Sequence, residues 1–233
     1  MLDFFYDNPG VAYFLMISAV IFSYAMQSLV NSTFRKYSKV SSRSGVAANV
    51  IARQILDSYG LYNVAVVHVK GNLSDHYDPR QNIVALSDST FFSSSVAAIG
   101  VAAHEVGHAV QHNTGYIPIK IRSFFVPIAQ FGSKSWILFF FIGIFFSLPL
   151  LLEIGIVLFA FVVLFQLLTL PVEFNASRRA LNTIESQFLL ERDEMVGARK
   201  TLTAAAMTYV ASLMVAITQL LRLLVMTRGG DRD

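Results

Sequence analysis

Between residues 124 and 170 the chain is apolar almost without interruption, and this run limits the fold more than any other feature. A bilayer core takes about 20 helical residues to cross, so the run holds two spans, with a tight turn expected near residues 149–153. Backbone polar groups cannot stay unpaired in hydrocarbon, so both spans are helices. Lys134 interrupts the first. Either that helix starts near Trp136 and is short, or Lys134 snorkels or faces a polar interior. Residues 11–30 form another run of spanning length, and Asp3 and Asp7 ahead of it argue for an anchor rather than a cleaved signal. Residues 201–225 are a fourth candidate, with Thr208, Ser212, Thr218 and Gln219 suited to packing on other helices; a buried soluble helix is the rival reading. With 55% hydrophobic and only 14% charged residues, the chain reads as a membrane protein.

The stretch between the first two runs is more polar. Residues 41–60 are expected to form an amphipathic helix, with Val46, Val50, Ile51 and Ile55 inward and Arg43, Arg53 and Asp57 outward. Residues 62–69 alternate like a strand, 72–82 have a loop composition, and 83–86 suit a second short strand. The 229–233 tail is expected to fray. The net charge of +3 comes mostly from basic residues beside the apolar runs, which speaks for a membrane flank and against nucleic acid.

Residues 104–108 read His-Glu-Val-Gly-His, the HExxH pattern. Residues four apart share a helical face, so His104 and His108 can bind one metal ion, while Glu105 lies a quarter-turn away and can act on a water beside it. A chance pair of structural histidines is the alternative, but the context favours ligands. Ser93, Ser94 and Ser95 offer an N-cap, small apolar residues follow from 96 to 103, and Gly115 provides a stop. The chain has no cysteine, which excludes disulfides, thiolate-bound zinc and iron–sulfur clusters.

A catalytic zinc takes three protein ligands, so the third must be His, Asp or Glu. His112 sits ~12 Å from His104 along a continuous helix, too far to share an ion, and is expected to be a supporting or surface residue. Glu153 falls at the opposite membrane face, and Glu185, Glu191, Asp193 and Glu194 read as a solvated connection. Glu173 fits better, because two spans return the chain to the side it left. An interfacial carboxylate paired with Arg178 or Arg179 remains an equal alternative on topology alone.

Three segments together resemble the YugP-type neutral zinc metallopeptidases of bacterial membranes: residues 104–112, residues 73–80 and residues 170–180, with 197–210 extending the match. That family is similar in layout to the HtpX and CAAX-protease group, whose third ligand is a glutamate beyond a transmembrane hairpin. The resemblance implies zinc held by His104, His108 and Glu173, with Glu105 as general base. It also implies an acidic residue at position 175 or 177, where this chain has Asn175 and Ser177, leaving open what orients the two histidines.

The expected architecture is a mostly α membrane protein with a small α+β catalytic domain, a gluzincin-like HExxH site and about four transmembrane helices. Residues 1–30 would be an N-terminal span, 31–123 the catalytic domain, 124–170 a hairpin, 171–202 the third-ligand segment, and 203–233 a last span and tail. The expected activity is zinc-dependent endopeptidase cleavage of membrane or membrane-proximal polypeptides; a zinc-bound inactive scaffold is the alternative. His76, Tyr77, Arg178 and Arg179 are candidate oxyanion donors. The lipid bilayer and a peptide or membrane-protein substrate are the expected partners, with self-association or a membrane-protein partner left open. Four basic clusters (Arg35, Lys36, Lys39 and Arg43; Lys120 and Arg122; Arg178 and Arg179; Arg199 and Lys200) fall on one side of the spans, which makes that side, with the HExxH helix, cytosolic in the plasma membrane; Arg228 and Arg232 run weakly against this.

Overall fold

The computed structural model describes residues 2–228; the expected frayed tail, with Arg232, lies outside the described residues. The elements run α1 (Leu2–Asp7), α2 (Pro9–Tyr37), α3 (Ala48–Ser58), β1 (Ala65–Val69), β2 (His76–Asp78), β3 (Ile83–Ser87), α4 (Val96–Asn113), α5 (Ile117–Phe145), α6 (Pro149–Ser186) and α7 (Met195–Arg228). The fold is thus mostly helical with a small sheet. Among the described residues four helices, α2, α5, α6 and α7, are long and apolar enough to cross a membrane. The chain divides into two compact units.

One unit takes residues 1–26, 121–170 and 208–233. Its core gathers Phe140, Phe159 and Leu223, with the Trp136 and Phe159 rings 4.7 Å apart. Within it α5 and α6 approach closely, because a methyl on Gly132 would meet the Leu158 carbonyl oxygen at 2.7 Å. The turn between these helices lies at residues 146–148, ahead of the expected 149–153: Ser147 has φ +52°, and the Leu148 N–H caps the Gly143 carbonyl at 2.8 Å. Pro149 instead opens α6, where its missing N–H costs nothing. Helix α5 runs unbroken through Lys134, so the short-helix alternative does not hold.

The other unit takes residues 27–120 and 171–207. Its sheet has the order β1-β3-β2, with β1 parallel and β2 antiparallel to the central β3. β2 lies inside the expected 72–82 loop. Its hairpin turn explains the loop-like composition: Asp78 accepts from the Arg80 N–H at 2.7 Å, and Asn82 has φ +52°. The amphipathic helix is shorter than 41–60, because Gly45 has φ +63° and Ser41 bridges to Ser95. Its buried face is Ala48, Ile51, Ala52, Ile55 and Leu56; Val50, expected inward, is 53% exposed, one residue off that stripe. Arg43 precedes the helix and pairs with Asp193. Glu194 is not a solvated group: it is buried, accepting from the Arg43 N–H at 2.7 Å and the Glu191 N–H at 2.8 Å. The core of this unit packs α3 and β3 against α4, joined by Ala180, Ile184, Ala198 and Leu202.

Candidate metal centre

Helix α4 starts where its sequence says it should. The Ser95 hydroxyl accepts from the Ala98 N–H at 3.2 Å, a cap worth about 1 kcal/mol, and Gly115 at φ +65° follows the last turn. Its small residues then let α6 come close. A methyl on Gly107 would lie 2.8 Å from the carbonyl oxygen of Ala176, which is fully buried. The central Gly of the motif therefore sets the approach that brings Glu173, one turn before Ala176, against the two histidines. Gly107→Ala is expected to wedge the helices and destabilise the protein by about 1–3 kcal/mol, checked by thermal unfolding in detergent.

His104 Nε2 lies 3.3 Å and His108 Nε2 3.5 Å from Glu173 Oε2. The imidazole rings stand 4.7 Å apart, edge to face. Ligands ~2.1 Å from a tetrahedral ion are about 3.4 Å from one another, so the spacing fits zinc. One ligand atom from each of the three residues lies within 4.8 Å of the other two. All three side chains are nearly buried. Burial opposes a proton on His108, but the Glu173 carboxylate outweighs it and raises His108 above the usual imidazole range. The pocket thus favours positive charge, which a zinc ion would supply. Glu105 is also buried; this pushes its carboxyl above the ordinary range, opposed by His104 and His108 and aided by Glu173 and Asp75.

The outward nitrogens of both histidines are engaged. Ser177 Oγ lies 3.1 Å from His104 Nδ1, and Gln111 Oε1 lies 3.0 Å from His108 Nδ1. Ser177 stands at one of the two positions where an acidic residue was expected, Gln111 stands behind the other histidine, and both Nε2 atoms face Glu173. Sequence reasoning noted Ser177 only as a departure and missed Gln111. Its position three residues after His108, on the same helical face, was the available signal.

The remaining candidates are not among the three clustered donors. His112 is exposed, its ring 6.1 Å from that of Tyr77, and is not in the cluster. His76 is exposed and bonds the Ser74 carbonyl. Arg178 is exposed, whereas Arg179 donates to Asn175 and lies over the Tyr116 ring. Glu153 belongs to the other unit.

Residues 12–228 match the family profile described as "Putative neutral zinc metallopeptidase". The chain is 44% identical over 221 residues to "Putative membrane protease YugP" of Bacillus subtilis (strain 168), covering 94% of this chain and 98% of that one. No solved structure matches. A match of this extent, carried by a chain that holds two histidines and a glutamate at ligand spacing beside a buried glutamate, makes it a member of the neutral zinc metallopeptidase family.

Proposed function

We propose that His104, His108 and Glu173 hold the zinc, and that Glu105 is the general base of a membrane endopeptidase. The convergence of the three donors beside a buried carboxylate carries the reading. Zinc bound there supplies Lewis acidity toward water and a peptide carbonyl. Glu105 takes the proton of the attacking water and returns it to the leaving amine nitrogen. Its buried setting keeps the carboxylate short of solvent partners, which favours proton uptake from a substrate water. The substrates are polypeptides in or beside the bilayer, in keeping with a chain that carries four spanning-length helices. The catalytic part is drawn from residues 31–123 and 171–202. Ser177 and Gln111 stand behind the two histidines, which favours the enzyme over the zinc-bound inactive scaffold.

The test is to purify the chain in detergent and measure zinc content and peptide cleavage together. About one zinc per chain is expected, with cleavage abolished by a chelator and restored by zinc. Bound zinc without cleavage of any peptide in a broad library would favour the scaffold.

We infer from the shared side of the basic clusters that the HExxH helix faces the cytosol. The chain has no cysteine, so a single introduced thiol reports cleanly. Asn113 at the end of α4 is exposed, unlike Ser42, which is buried. Asn113→Cys is expected to resist an impermeant thiol reagent in intact cells and to react after permeabilisation; labelling in intact cells would reverse the orientation.

A further inference from the structure

The hydrogen bonds behind His108 have a fixed direction. Arg179 Nε can only donate, and it donates to Asn175 Oδ1 at 2.8 Å. Asn175 must therefore turn its oxygen inward, where Gln111 Nε2 donates to the same atom at 3.0 Å and to the Val172 carbonyl at 2.8 Å. With its NH₂ so engaged, Gln111 presents Oε1 to His108 Nδ1. An amide oxygen can only accept, so His108 carries a proton on Nδ1, and Nε2 is the nitrogen turned toward Glu173. Gln111 is fully buried, and reversing its amide would set oxygen against the Val172 and Asn175 oxygens.

We propose that Arg179, acting through Asn175 and Gln111, is a positioning residue that holds a proton on His108 Nδ1, so that Nε2 is the nitrogen left to face Glu173 and a metal ion. Arginine suits the far end because its guanidinium carries only N–H donors, and the Tyr116 ring 5.9 Å away holds it in place. The arrangement is asymmetric. At His104 the Ser177 hydroxyl can rotate to donate or accept and so fixes no tautomer. The consequence for zinc rests on the ligand assignment proposed above; the tautomer itself does not.

The test uses full-length protein in detergent with ¹⁵N-labelled histidine. The chain has 5 histidines, and the His108 signals are identified by their loss in His108→Asn. Metal-free wild type is expected to show Nδ1–H at His108. Asn175→Asp keeps an acceptor for both donors and is expected to keep that tautomer and the wild-type zinc affinity. Asn175→Leu and Arg179→Met break the chain and are expected to give mixed tautomers and zinc binding about 10-fold weaker in chelator competition. A wild-type His108 tautomer in Arg179→Met would overturn the proposal. So would weaker zinc binding with an unchanged tautomer, since that reports general loosening of the helices. Failure of Asn175→Asp to restore what Asn175→Leu loses would do the same. If wild type takes up no zinc at all, the ligand assignment fails while the ¹⁵N shifts still decide the tautomer.

Discussion

Glu105→Gln is expected to keep about one zinc per chain and to cleave peptide ~10²- to 10⁴-fold more slowly than wild type. The two halves of this result come from different parts of the motif. Glu105 is turned a quarter-turn from His104 and is not among the three clustered donors, so its amide analogue leaves the ligands unchanged. Glutamine has almost the same volume, and the buried site tolerates it sterically. It cannot take a proton from water, and it cannot return one to the leaving nitrogen, so both proton transfers fail together. Matched, zinc-replete wild type and variant should be assayed on one peptide. Equal rates would remove Glu105 from the mechanism, and a variant that loses its zinc would make Glu105 part of the metal site instead.

The readable parts of this fold are those whose cause is local in sequence. Spanning length, the Ser95 cap and the i, i+4 histidines each depend on residues a few positions apart, and each is present as expected. The misreadings share a different cause, since each depended on a partner far along the chain. Helix α3 starts late because residues 41 and 42 bond to the 94–95 segment, and β2 forms within a polar loop because β3 offers it an edge. Glu194 was read as solvated because nothing nearby in sequence hints that it accepts from the backbone of Arg43. The site follows the same division. His104, Glu105 and His108 announce themselves. The value of Glu173 came from topology and resemblance, and the support of His108 by Gln111 needs α6 in place before it makes sense.

Glu173→Gln is expected to lose zinc affinity by more than the ~10- to 100-fold that follows loss of a group behind a ligand. The reasoning is electrostatic. Among the three clustered donors the two imidazoles are neutral when they bind metal, so Glu173 brings their only negative charge to a dication among nearly buried side chains. Removing that charge while keeping the shape isolates its contribution, because the amide retains the packing of a residue that is 3% exposed. Glu173→Ala should lose zinc as well, but it also opens a cavity between α4 and α6 and so is harder to interpret. His112→Ala is the control: exposed and outside the cluster, it should bind zinc like wild type. Zinc affinity is measured by chelator competition on folded protein, with far-ultraviolet circular dichroism confirming the helices. A Glu173→Gln protein that holds zinc as tightly as wild type would show that the third ligand lies elsewhere, and loss of zinc in His112→Ala would point to where.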